Sequence, residues 1–209
     1  EVRLQEANQI KVELKGRSSR YFTAEIIQDI EGKSFDPRGD TLGFGAVQHD
    51  IVSYSGAIHG DDLVLSVILA EPFSPPGSGQ LDELVAGFLL DVDQNPATGE
   101  SIDSWLPVPL PDAFAVDLGI DFIVSSGVTG GFTLSSPTQV LGMIPATLTS
   151  HSVVLRVPLF LLGGDEGLVN GGLIVGTPET LGRAFEITDV APNGGLMRVS
   201  EFIDLFPGP

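Results

Sequence analysis

The sequence predicts an all-β protein, an antiparallel β-sandwich of jelly-roll or immunoglobulin-like type with roughly ten strands and one or two short helical turns. Three observations predict it. Short apolar runs rich in β-forming residues recur along the chain. Glycine (26 residues) and proline (15) fall between them at turn spacing. No heptad pattern and no internal repeat of 20–50 residues interrupts the series.

Taken in order, residues 9–14 alternate apolar and polar side chains, and residues 21–30 alternate partially, so both read as strands. Residues 31–45 form a loop dense in Gly, Pro and Asp. Residues 51–58 and 63–69 are strand-like, and the turn His59-Gly60-Asp61-Asp62 joins them as a hairpin. Residues 72–79 read as a linker loop. Residues 85–91 are a strongly apolar strand that ends on Asp91. Pro107, Pro109 and Pro111 rule out a regular helix before Asp112. Further strands are expected at 122–125, 131–134, 152–157, 173–176 and 184–188. Residues 158–162 suit one short helical turn ending at Gly163-Gly164, and residues 197–206 suit a strand or a short helix. Residues 1–20 read as an N-terminal extension or strand segment, and residues 21–209 as a single sandwich domain.

A chain of 209 residues with 42% apolar and 18% charged side chains can bury a substantial core and is no disordered acidic tail. Its charge is the second signal. There are 28 acidic and 10 basic residues, a net charge of −18. Such a chain repels phosphate, so nucleic acid is excluded as an expected partner. No apolar run approaches the roughly 20 residues of a membrane-spanning helix. There is no cysteine, which removes disulfides and thiolate metal sites. The chain opens at Glu1 without a methionine, as expected where a signal peptide has been removed.

The charge is also unevenly placed. Residues 1–38 hold seven basic and seven acidic side chains, whereas residues 39–155 hold 14 acids and no Lys or Arg. A folded body of that kind repels itself unless cations sit among its carboxylates. The acids are grouped at expected strand ends. Asp91, Asp93 and Asn95 alternate directly after an apolar run and enter a turn with Pro96 and Gly99, a pattern able to wrap a hard cation. The loop lacks the Gly and Glu of an EF-hand at its sixth and twelfth positions, where Pro96 and Ile102 stand, so help must come from elsewhere. Asp121, Glu100 and a carbonyl near Ala97 or Thr98 are the candidates. Asp36, Asp40 and Asp50 form a second group if the Gly-rich loop folds back. Residues 163–167 and Asp189 are weaker candidates, read as turns solvated at the surface.

The motif Asp36-Pro37-Arg38-Gly39-Asp40-Thr41-Leu42-Gly43-Phe44-Gly45, followed by Gln48-His49-Asp50-Ile51, resembles the opening of calcium-binding sandwich modules of secreted bacterial proteins. These are the DOMON-like and family 9 carbohydrate-binding-like modules, such as the C-terminal module of glucodextranases. Residues 91–99, 119–122, 158–167 and 188–193 resemble segments of secreted bacterial proteins as well. The resemblance spans about residues 36–193 and implies a Ca²⁺-bearing sandwich outside the cell. The residues it carries over as ligands are Asp36, Asp40, Asp50, Asp91, Asp93, Asn95 and Asp121. Such modules grip sugars with exposed aromatics, and here only Trp105, Tyr21 and Tyr54 are of that kind.

Catalysis is not expected. Ser55, His59 and Asp61 are neighbours in sequence without a nucleophile elbow, and His49, His59 and His151 lack zinc-site spacing. The expected function is that of an extracellular structural or assembly protein, a filament or surface-layer subunit. Its neutral N-terminal strand segment would add to the open edge of the next acidic subunit, giving a homo-oligomer or homopolymer. The alternative is a carbohydrate-binding accessory module whose partner is a polysaccharide.

Overall fold

The computed structural model describes residues 2–5, 9–12, 33–42, 45–95, 97–101, 119–126, 130–163, 169–178, 186–192 and 197–201. The expected strand at 21–30 and most of 100–118 lie outside them. The chain divides into two compact units, Glu1–Ile30 and Glu31–Pro209. In the first, β1 (Val2–Gln5) and β2 (Gln9–Val12) pair antiparallel, with Val2 opposite Val12 and Leu4 opposite Ile10.

The second unit is the expected β-sandwich: ten strands form two antiparallel sheets of four and six. The four-stranded sheet is built from β4 (Ile51–His59), β5 (Asp62–Leu69), β10 (Ala146–Leu148) and β11 (Ser152–Pro158), in the order β10-β11-β5-β4. The six-stranded sheet contains β6 (Val85–Asp91), β7 (Phe122–Ser126), β8 (Phe132–Ser136), β9 (Gln139–Ile144), β12 (Val169–Thr177) and β13 (Glu186–Ala191). Its order is β13-β12-β6-β7-β8-β9. Two short strands sit at the far side of β4. β3 (Lys33–Phe35) pairs with it antiparallel, and β14 (Met197–Glu201) runs parallel to it while also pairing with β12.

The strand expected at residues 63–69 lies on this core as β5, and its burial alternates. Leu63, Leu65, Val67 and Leu69 point inward and are buried, with polar or half-exposed residues between them. From the other sheet Ala86, Phe88 and Leu90 enter the same cluster. Tyr54 and Phe88 meet across the sandwich with ring centroids 6.0 Å apart, and Phe88 meets Phe132 edge-on at 6.2 Å. Each such large apolar side chain contributes about 1.5–3 kcal/mol by leaving water. The helical turn expected after β11 is a 3₁₀ turn, Leu159–Leu162, ended by Gly163 in the left-handed region at φ 96°. Among the described residues no helix is long and apolar enough to cross a membrane.

Three elements escaped the sequence reading. β3 lies inside the stretch read as loop. β9 and β10 were hidden by Gly142 and Pro145, because glycine and proline read as breakers. Here Gly142 belongs to a bulge on an outer strand, where Leu141 is skipped in the pairing with β8. Pro145 marks the corner at which the chain leaves one sheet for the other.

Candidate metal centre

Two groups of aspartates converge, and either can hold a metal ion. In each, three carboxylate oxygens lie within 4.8 Å of one another: Asp36, Asp40 and Asp189 in one, Asp91, Asp93 and Asp121 in the other.

The second group is the loop after β6. Asp91 ends that strand on the face away from the core cluster, and the register sets Asn170 of β12 opposite it. Asn170 Nδ2 donates to Asp91 Oδ2 at 3.0 Å and so fixes the carboxylate. Asp91 is only 3% exposed, and its Oδ1 is buried without a hydrogen-bond partner. A buried acceptor left in that state costs about 1–3 kcal/mol, more if charged. A cation between Asp91 and its neighbours removes that cost. Burial pushes the pKa of Asp91 above its ordinary value; hydrogen bonds from Asn170 and the Gln94 backbone oppose this, and the Asp121 and Asp93 charges add to it.

Asp93 is exposed. The Thr98 hydroxyl donates to both its oxygens, at 2.9 and 2.7 Å, and the Asn95 amide donates to Oδ1 at 2.9 Å. These bonds, the Thr98 one foremost, hold its pKa below the usual value. Asn95 Oδ1 accepts from the Ala97 amide at 3.1 Å, so both residues form Asx turns that shape the loop. Asp121 arrives from the start of β7. Its Oδ2 accepts from the amides of Val92 at 2.9 Å and Asp93 at 3.4 Å. The loop is clamped to that strand by backbone bonds in both directions between Glu100 and Ile120. Gly119 permits the close approach: a Cβ there would stand 2.0 Å from the Thr98 carbonyl oxygen.

The other group sits where the two sheets are stitched together. Asp36 follows β3, and its amide donates to Val52 O. Asp189 lies on β13. Its Oδ2 accepts from the Ile51 amide at the start of β4 (2.6 Å), and its Oδ1 from the Val190 amide at 2.8 Å. Beside it the Thr188 hydroxyl both accepts from and donates to the backbone of His49, and Leu42 N donates to Thr188 O. Asp50 stands next to the triad. Its Oδ2 accepts from Gly39 N at 2.9 Å, while its Oδ1 is buried without a hydrogen-bond partner. Asp189 is 1% exposed, so the sequence reading of it as a solvated turn is corrected: β13 is the outer strand beside β12, and the bonds of Asp189 and Thr188 to residues 49–51 accompany its burial. Burial pushes the pKa of Asp36 up to about 8, helped by the charges of Asp189, Asp40 and Asp50 and by a hydrogen bond to Asp189. Burial likewise raises Asp189 to about 6, against its two amide bonds.

The sequence brought forward Asp36, Asp40, Asp91, Asp93 and Asp121, and the structure sorts these five into two places. Asn95 stays on the exposed rim of the loop, and Asp50 packs at the edge of the sheet-junction cluster. Asp189 is the residue that sequence reasoning undervalued. Its signal was an acid inside a run of β-forming residues, Ile187-Thr188-Asp189-Val190, without the glycine or proline of a surface turn. Asn170 gave no signal at all, since its role follows from strand register. Asp165 and Glu166 lie outside the described residues, as do Trp105 and Tyr21, while Tyr54 is fully buried.

A comparison with models of known protein families finds no match, and a comparison with curated proteins finds none either.

Proposed function

We propose that the chain is a Ca²⁺-stabilised β-sandwich subunit of an extracellular structure, and that it joins further copies of itself through its N-terminal strand segment. One observation carries the cation half of this reading: two separate aspartate triads, one of them built on the buried carboxylate of Asp91. The donors are all hard oxygens, with no imidazole or thiolate among them, which favours Ca²⁺ over zinc or copper. Calcium–oxygen bonds run about 2.3–2.6 Å. Two oxygens on one such ion stand no more than about 5 Å apart, which matches the spacing within each triad. Asp36, Asp40 and Asp189 would hold one ion, with Asp50 beside it; Asp91, Asp93 and Asp121 would hold the other. The ion neutralises clustered carboxylates and ties loops to the sheet ends.

The extracellular setting rests on charge and affinity. Extracellular modules bind calcium at roughly 10⁻⁴–10⁻³ M, an affinity suited to sites of three carboxylates without a full EF-hand ligand set. A net charge of −18 also makes a crowd of such bodies dependent on cations. The motif at residues 36–51 and its likeness to secreted calcium-binding modules point the same way.

Binding to the folded state alone adds about 2.7 kcal/mol when calcium is 100-fold above its dissociation constant. Chelation is expected to lower the melting temperature by several degrees, and Asp93→Ala to remove a large part of that shift. A melting temperature indifferent to calcium and chelator would overturn the cation reading. Sedimentation and electron microscopy of the full chain in calcium test the assembly half, which a strictly monomeric chain would overturn.

A further inference from the structure

Residues 70–84 run from the end of β5 to the start of β6. A connection of that length without a helix or strand of its own is uncommon in a compact body and is ordinarily a working loop. Its two arms meet. Ser74 N donates to Asp82 O at 2.9 Å and Leu84 N to Ser74 O at 2.9 Å, so the stretch between them closes on itself. Residues 77–81 at its tip are exposed, Leu81 by 68%.

A buried carboxylate holds this tip in shape. Glu83 is 8% exposed. Its Oε1 accepts from Gly77 N at 2.6 Å and its Oε2 from Gly79 N at 2.6 Å, with Ser78 Oγ 3.5 Å from Oε2. Gly77 and Gly79 take φ 78° and 71°, left-handed values that let two alternate amides converge on one side chain. Bonds from amides to a carboxylate are about twice as strong as those between neutral groups.

The backbone of the same residue grips a side chain from elsewhere in the sandwich. Glu83 O accepts from His49 Nε2 at 3.3 Å, and the His49 ring meets Phe73 edge-on with centroids 6.4 Å apart. His49 is 1% exposed, a peg touched by both arms of the loop. Its amide donates to Thr188 Oγ1 of β13 at 3.1 Å, and that hydroxyl donates to His49 O at 2.9 Å. Next along the chain, Ala70 N donates to Asp50 O at 2.8 Å, while Ile51 N donates to Asp189 Oδ2 at 2.6 Å. Residues 49–51 are therefore held both by the loop and by β13.

From this chain of bonds we infer that residues 70–84 are a strap latched by the Glu83 carboxylate, and that His49 couples its opening to the junction of β13 with residues 49–51. Strap and junction open as one cooperative unit, at a lower free energy than global unfolding. This coupling needs no ion and stands apart from the cation reading.

Residue-resolved amide exchange of the full chain, followed by NMR, tests both parts. Glu83→Gln keeps the shape of the side chain and weakens its carboxylate bonds, so exchange at Gly77 and Gly79 should quicken by about tenfold. His49 and Ile51 should quicken with them, and Val124, buried on β7, should not. His49→Phe keeps a ring beside Phe73 and removes the bond to Glu83 O. In that background Glu83→Gln should quicken Gly77 and Gly79 alone. Unchanged exchange at Gly77 and Gly79 in Glu83→Gln overturns the latch. Quickening confined to those two in the wild-type background overturns the coupling. Equal quickening at Val124 overturns the strap in favour of plain global destabilisation. Gly79→Ala serves if Glu83→Gln fails to fold: a Cβ there meets nothing within 4 Å, yet φ 71° strains a residue other than glycine. That variant should raise the open population, and with it the rate of chymotrypsin cleavage after Leu81, by about tenfold. Cleavage no faster than in the wild type overturns the latch.

Discussion

Asp91 and Tyr54 are both buried polar residues, and a single atom of each sets its energetic role. Asp91 keeps one oxygen on Asn170, and its carboxylate stands within reach of Asp93 and Asp121 where a cation could bind. The Tyr54 hydroxyl lies in the apolar core, fully buried and without a hydrogen-bond partner, and burial raises its pKa. Among the described residues its ring contact is with Phe88, so the hydroxyl is a desolvation cost. Removing a buried hydroxyl that makes no bond is expected to stabilise by about 1 kcal/mol. Tyr54→Phe should therefore raise the midpoint of urea unfolding with an unchanged slope. A lower midpoint would show that the hydroxyl has a partner, most simply a buried water.

At the scale of elements, the aspartate loop after β6 depends on a backbone contact that only glycine allows. The segment before β7 runs so close to the loop after β6 that a Cβ on Gly119 would overlap Thr98 O and press on Asn95 O at 2.8 Å. Overpacking of this kind costs about 1–3 kcal/mol, occasionally more. Gly119→Ala is expected to lower the melting temperature by about 2–4 °C per kcal/mol lost and to weaken calcium binding at Asp91, Asp93 and Asp121 alone. Calcium titration of that variant, compared with Asp36→Asn, separates the two triads; equal loss at both would contradict their independence. Elements were legible in the sequence where burial follows a period. β5 alternates and β6 is a solid apolar run, and both stand where the pattern placed them, β5 one residue longer. β9 and β10 were not legible, because an outer strand is patterned by what it leaves uncovered, and a glycine and a proline broke the little periodicity it had. The sites divide the same way. Alternating acids at a strand end announce themselves, whereas Asp189 joins its site through a side-chain bond to β4, and Asn170 through the pairing of β12 with β6, which no local window contains.

For the whole molecule, the sheet-junction cluster ties stability to pH in a sense opposite to ordinary acid denaturation. Asp36 and Asp189 are both raised in the fold, to about 8 and about 6, above the ordinary value of 3.8. Between pH 4 and 8 the folded chain therefore binds more protons at these groups than the unfolded chain does. Stability from them is fully present below pH 4 and is lost as pH rises through 6 and then 8. Without calcium, the protons on Asp36 and Asp189 are what keeps four carboxylates from repelling one another where β13 meets β4. On the proposed reading calcium would replace those protons, because it would bind the ionised carboxylates and compete with H⁺ for them. The melting temperature in chelator is thus expected to fall from pH 5 to pH 8, and saturating calcium to flatten or reverse that slope. The calcium-induced gain should be largest at pH 8 and smallest at pH 5. Asp36→Asn removes one titrating group, so in chelator it should flatten the pH 5–8 slope while reducing the calcium gain at pH 8. Scanning calorimetry at three pH values, with and without calcium, reads all of this from one set of samples. A chelated protein whose melting temperature climbs steadily with pH would mean that these aspartates are ionised and solvated, and neither protons nor calcium would then hold the two sheets together at that side.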